Sequence, residues 1–228
     1  MRKWLGILAP LLVSLSLQAQ SNPTRLLVAL KPDRVIDGKS RDAFEKTAVL
    51  VRGDKIEALV PFDKIPADAK IVELPGQSLL PGLIDVHVHL MIRKADYQND
   101  HLQHDTGYKT ALAIHNAQIL LRQGWTTVRV AGDADVGYGI VAARRAIEEG
   151  LFVGPRIVGA AHYLSVTGGG GDINFLSAEQ AAKPDGLIIS GADQMREAVR
   201  REIKYGSDWI KLLVTGAFMS AADNPNDV

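Results

Sequence analysis

The chain has 228 residues, 46% of them hydrophobic and 23% charged, a globular composition that excludes disorder as the main state and sets a prior of one or two domains. Its 26 Lys and Arg offset its 26 Asp and Glu, so no summed charge draws it to a polyanion and no nucleic-acid partner is expected. With no cysteine there is no disulfide framework, thiolate metal site or cysteine nucleophile, and any metal must sit on His, Asp, Glu or a modified Lys.

Arg2 and Lys3 precede an apolar run from Trp4 to Leu17, and the small Ala19 stands just before Gln20-Ser21-Asn22. This is the pattern of a secretory signal peptide over residues 1–20. The run is broken by Pro10 and is shorter than the about 18 apolar residues that cross a bilayer. It predicts cleavage and export, periplasmic or secreted, with no stable membrane anchor.

Residues 21–80 hold short apolar or alternating runs at Leu26–Leu30, Ala48–Val51, Lys55–Val60 and Ile71–Leu74. Turn residues separate them at Asp37-Gly38, Arg52-Gly53-Asp54 and Pro75-Gly76. Short runs punctuated in this way predict strands of a compact all-β module, a small sheet or sandwich.

After Pro81-Gly82 the pattern becomes strand then helix. Strands are predicted at Leu83–Leu90, Thr126–Val130, Arg156–Leu164 and Trp209–Val214, with helices at Thr110–Arg122, Ile140–Glu149 and Asp193–Tyr205 between them. Gly124, Gly150 and Gly206 end the helical stretches, where a left-handed cap is wanted. The alternation predicts an α/β fold with a parallel sheet over residues 81–228.

Within the first of these strands, alternation puts Asp85, His87 and His89 on one face and Val86, Val88 and Leu90 on the other. Two imidazoles about 6–7 Å apart along a strand can converge on one ion. A hydrogen-bonded pair of core histidines is the competing reading. His101 and His104 lie in a polar stretch and read as solvated or substrate-facing, His115 reads as structural, and His162 reads as either structural or facing the substrate. The glycine run Gly168–Gly171 lacks the Lys-Ser/Thr ending of a phosphate cradle and reads as a βα loop. No base stands at triad spacing from Ser165 or Thr167.

The segment from Leu79 to Leu90, Leu-Leu-Pro-Gly-Leu-Ile-Asp-Val-His-Val-His-Leu, closely resembles the opening signature of the amidohydrolase superfamily. Gly124–Arg129, Gly154–Ile157 and Gly206–Lys211 are similar to the second, third and fourth barrel strands of its imidazolonepropionase-like and Xaa-Pro dipeptidase-like branch. The resemblance implies a (β/α)8 barrel preceded by a small β-sandwich segment, one or two divalent metals, usually zinc, and hydrolysis of an amide, peptide or cyclic amide in a small substrate. It makes His87 and His89 metal ligands and Lys211 a carboxylated lysine that bridges two ions. Such a lysine must first be neutral, which burial favours.

Departures from the pattern are as informative. Gly170 stands where a histidine often interrupts the glycine run, and Val130 replaces an acidic residue, with Asp133 nearby. The family's catalytic aspartate and two further histidines belong to strands five, six and eight, and none is present in these 228 residues. The stretch after Pro81 is well short of the about 250 residues of a closed barrel. The expectation is therefore the first half of a barrel, strands one to four, prone to self-association through unpaired edges. On this reading the 228 residues hold metal weakly and hydrolyse little. The alternative is a half-barrel that binds a metal or ligand without catalysis.

Overall fold

The computed structural model describes residues 26–93, 96–218 and 226. Residues 1–20, read from the sequence as a signal peptide, lie outside the described residues. The chain divides into two units, Met1–Pro81 and Gly82–Val228. Among the described residues no helix is long and apolar enough to cross a membrane.

The first unit is a mixed sheet built from β1 (Leu27–Val35), β2 (Phe44–Glu45), β3 (Thr47–Arg52), β4 (Lys55–Pro61) and β5 (Lys70–Leu79), with a 3-10 turn at Phe62–Lys64. β1 is its centre: β3 pairs antiparallel with its first half, β2 with its end, and β5 runs parallel along its other edge. The β3–β4 hairpin closes at Arg52↔Lys55, so Gly53-Asp54 forms the two-residue loop that favours glycine. Leu27, Ala29 and Leu50 form the buried core, with Ala58, Val60, Ile65 and Ala69 packed against it. All four runs predicted here are strands.

The second unit alternates strand and helix: β6 (Leu83–Val88), α1 (Tyr97–Gln103), α2 (Thr106–Arg122), β7 (Trp125–Ala131), α3 (Gly139–Glu148), β8 (Arg156–Ala160), β9 (Tyr163–Ser165), β10 (Leu187–Ile188), α4 (Ala192–Tyr205) and β11 (Lys211–Leu213). The strands form two parallel sheets, ordered β6-β7-β8 and β10-β9-β11. β8 and β9 are successive pieces of the third predicted strand, interrupted at Ala161 and His162. The amides of Asp208 and Trp209 donate to the Gly159 carbonyl at 2.8 and 3.3 Å, so the approach to β11 runs beside β8 before β11 pairs with β9.

Apolar side chains of the sheet and helices explain why these elements pack. Val128, Val130 and Ile157 meet Ala113, Ala117, Ile140 and Ala143 in one core, and Leu164 and Ile189 meet Ala198 in another. Gly124, Gly150 and Gly206 all have positive φ, as the helix-ending role requires. Asp105 caps α2 by accepting the Tyr108 amide at 2.8 Å.

Three expectations need correction. The first strand ends at Val88, two residues early, because its ladder with β7 slips between Asp85 and Val88. Its apolar face is buried only toward its far end: Leu90 is 1% exposed, but Ile84 is 63% and Val86 56% exposed. The polar stretch around His101 is helix α1, which packs by hydrogen bonding rather than by an apolar stripe.

Candidate active site

His87 lies inside the slipped stretch of β6, and His89 lies just past the strand's end. Where the ladder slips, Arg129 of β7 takes the place of a backbone donor: its Nε donates to the Val86 carbonyl at 2.7 Å, and its guanidinium lies 5.1 Å from the Trp209 ring centre. Asp85 accepts the His87 amide at 3.0 Å. The two imidazoles nevertheless converge, with centroids 5.3 Å apart and planes at 71°.

The Nδ1 of His89 lies 2.7 Å from the Gly132 carbonyl. A carbonyl only accepts, so Nδ1 carries the proton and Nε2 has a free lone pair. Burial lowers the His89 pKa; the bond to Gly132 opposes this, and the charges of His87 and Lys211 push it further down. The result is a neutral imidazole, the form that ligates metal.

Lys211 opens β11 and pairs with Tyr163. It is half-buried. β9 is the second piece of the third strand, so Lys211 sits toward the carboxyl end of the parallel layer, where active sites of such folds form. Among the described residues no group of three or more His, Asp or Glu side chains is gathered as a metal site. The donor set is two imidazoles and a lysine, which fits part of a coordination sphere once the amine is neutral or carboxylated.

Asp133 is fully buried. Burial raises its carboxyl to about 7, against the lowering effect of amide bonds from Met91, Leu90 and Ala134. Asn116 of α2 donates to the Leu90 carbonyl at 2.8 Å. These two residues, with Gly132 and Arg129, received no site role from the sequence. The available signal was a polar side chain in an apolar setting: Asn116 on an otherwise apolar helix face, and Asp133 at the end of an apolar strand.

The glycine run is a brace. The amides of Gly168, Gly169, Gly170 and Gly171 donate to Asp172 Oδ2, the Val166 carbonyl, the Thr215 carbonyl and Ser165 Oγ. Amides committed in this way do not cradle an anion. A Cβ on Gly170 would stand 2.6 Å from the Cβ of Ala217, so the segment after β11 occupies the space a histidine there would need.

His101, His104, His115 and His162 lie apart from the pair. His101 is buried: Lys109 Nζ reaches its Nδ1 at 2.5 Å and its Nε2 donates to the Lys183 carbonyl at 3.1 Å, so it is a structural knot and not a solvated or substrate-facing group. His104 stacks on Tyr108 at 4.1 Å and takes Arg93 Nη2 at 3.0 Å. His115 is exposed on α2. His162 is buried and its Nδ1 donates to Glu202 of α4 at 2.8 Å, a contact that serves the structural reading. A cavity of about 500 Å³ is lined by Val136, Lys183, Leu187, Ile189, Gln194 and Arg201; none of them belongs to the histidine cluster.

The amidohydrolase family model matches residues 78–228. The chain belongs to the amidohydrolase family. Its relatives include ochratoxinase from Aspergillus niger, 32% identical over 211 residues, covering 79% of this chain and 41% of that protein. Imidazolonepropionase from Klebsiella pneumoniae is 28% identical over 139 residues, covering 50% of this chain and 32% of that one. The crystal structure of a Xaa-Pro dipeptidase with methionine in its active site superposes with a TM-score of 0.77 at 28% identity, over 88% of this chain and 50% of that chain. The chain thus spans half or less of the length of these relatives. The chain shares the α/β fold of the Xaa-Pro dipeptidase structure, and the family's members named here are hydrolases.

Proposed function

We propose that the chain carries the metal-binding first half of an exported, metal-dependent hydrolase that cleaves a C–N bond in a small amide, dipeptide or cyclic amide. The observation that carries this reading is the convergence of His87 and His89, whose ring centroids lie 5.3 Å apart, in a chain of this family. Parallel strands β6, β7, β8/β9 and β11 correspond to the first four of a (β/α)8 barrel. The first unit's sheet supplies one layer of a sandwich.

In this reading His87 and His89 hold the ion through imidazole nitrogens, and Lys211 holds it through a carbamate on Nζ. A divalent ion, zinc by family habit, supplies Lewis acidity that polarises a scissile carbonyl and activates water near neutral pH. Arg129 keeps the His87 stretch in place by occupying the Val86 carbonyl. The remaining ligands and the aspartate that moves the proton to the leaving group are assigned by resemblance to strands beyond the fourth.

The test compares the 228-residue chain with a chimera in which the C-terminal half of a full-length relative follows it. Zinc content and hydrolysis of dipeptides, N-acyl amino acids and cyclic amides are measured on both. The reading expects weak zinc binding and negligible turnover in the short chain, and both properties in the chimera. His87→Ala or Lys211→Ala in the chimera should then lower turnover by orders of magnitude. A chimera that binds zinc through His87 and His89 but hydrolyses none of these classes would favour a non-catalytic binding module. Export is tested by N-terminal sequencing of secreted protein, expected to begin near Gln20 or Ser21; an intact Met1 would contradict it.

A further inference from the structure

His89 stands one residue beyond β6, so the strand ladder ends before the residue that most needs a fixed position. Hydrogen bonds from two other elements replace it. The Gly132 carbonyl, at the end of β7, takes the His89 ring at 2.7 Å. The Asp133 carboxylate takes the next two amides, Leu90 at 2.8 Å on Oδ2 and Met91 at 3.0 Å on Oδ1. Asn116 of α2 holds the Leu90 carbonyl.

We infer that Asp133 is the positioning residue of His89: its carboxylate fixes the backbone leaving the histidine, and its neighbour Gly132 fixes the ring and its tautomer. The inference rests on the reading of His89 as a metal ligand. The chemistry selects an aspartate. Two consecutive amides converge on one side chain, and a carboxyl group offers two oxygens that can each accept one of them, whereas an asparagine turns an NH2 toward one of those donors. The pair is itself anchored, because the Asp133 amide donates to the Ala161 carbonyl at 3.2 Å. Gly132 has φ +83°, and a Cβ there would sit 2.5 Å from Tyr163 Cδ1 and 2.9 Å from the Tyr163 amide nitrogen. A glycine is therefore required to aim that carbonyl at the ring. Ligand histidines in metal sites are oriented in this way by a second hydrogen bond; here one dipeptide orients both the ring and the main chain.

A purely structural Asp133 would affect stability and nothing else, so the test reads the histidine. In the 228-residue chain, nitrogen-15 shifts of the His89 ring and exchange of the Leu90 and Met91 amides are measured in wild type and Asp133→Asn, and zinc affinity by competition with a chromophoric chelator. Wild-type His89 should be protonated at Nδ1, with both amides protected. In Asp133→Asn the amides should lose protection, the single tautomer should be lost, and zinc affinity should fall about 10- to 100-fold at a temperature where circular dichroism shows the fold intact. A wild-type His89 protonated at Nε2 would overturn the inference without any variant. So would an Asp133→Asn protein whose zinc binding needs both histidines yet equals that of wild type. Zinc binding indifferent to His87→Ala and His89→Ala would instead overturn the metal reading, while the tautomer and amide exchange still decide the role of Asp133.

Discussion

Replacing Glu202 with alanine should destabilise the second unit more than any surface change. This carboxylate is 1% exposed and joins three elements. It accepts from the His162 ring at 2.8 Å and amide at 3.3 Å, from the Tyr138 hydroxyl at 2.7 Å and from the Ser207 hydroxyl at 2.7 Å. The Tyr138 ring also packs edge-on against His162, 4.4 Å away. Removing the carboxylate strands the buried or half-buried donors of His162, Tyr138 and Ser207, at about 1–3 kcal/mol for each group left unsatisfied, a large part of the about 5–15 kcal/mol that holds a domain together. Glu202→Gln keeps the volume but turns an NH2 toward donors, at about 1–3 kcal/mol. The acid dependence follows from the same bonds. Burial acts to raise the Glu202 carboxyl, but the His162, Ser207 and Tyr138 contacts outweigh it and hold the pKa below its ordinary 4.5. A depressed folded-state pKa gives stability that is complete above 4.5 and is lost as pH falls through the folded value. Urea unfolding followed by Trp125 and Trp209 fluorescence should therefore show a large loss for Glu202→Ala at neutral pH. It should also show an acid-dependent loss in wild type that Glu202→Gln lacks. A Glu202→Ala cost below about 1 kcal/mol, the range of surface changes, would refute the reasoning.

Other expectations concern the sheet. A Cβ on Gly159, whose φ is +144°, would lie 2.1 Å from the Val130 carbonyl oxygen, so Gly159→Ala should force β7 and β8 apart and cost about 1–3 kcal/mol or more; unchanged protection of the β8 amides in hydrogen exchange would contradict this. Ile84 and Val86 on β6 and Trp209 and Leu212 beside and on β11 are exposed, and unpaired apolar edges associate, so sedimentation of the 228-residue chain should show mass rising with concentration. A monomer across the whole range would count against the open half-barrel.

The four strands and three helices predicted in the second unit were legible because each carries its own signal: an apolar run, a 3.6-residue period, or a glycine at a helix end. The His-x-His pair was legible from residue type and from the alternation of a strand. The slip that places His87 in an irregular stretch was not, since ladder register depends on the partner strand, and no local pattern in Leu83–Leu90 encodes Arg129 reaching the Val86 carbonyl. Helix α1 was missed for a related reason. Tyr97–Gln103 has no apolar stripe, and it is held by distant groups, His101 by the Lys183 carbonyl and Gln98 by the Asp172 carbonyl. His162 shows the limit of strand alternation: the break between β8 and β9 sends its ring to α4, and only the three-dimensional position of Glu202 explains that. Asp133 was visible as an acidic residue near a missing one, but its role came from amides more than forty positions earlier in the chain.

The account stands on His87, His89 and Lys211 sharing an ion. Anomalous diffraction at the zinc edge, from crystals of the zinc-loaded protein, tests it directly. The prediction is a zinc peak about 2.0–2.1 Å from an imidazole nitrogen of each histidine, with added density on Lys211 Nζ for the carbamate. Zinc bound elsewhere, or a peak that persists in His87→Ala and His89→Ala crystals, would contradict it.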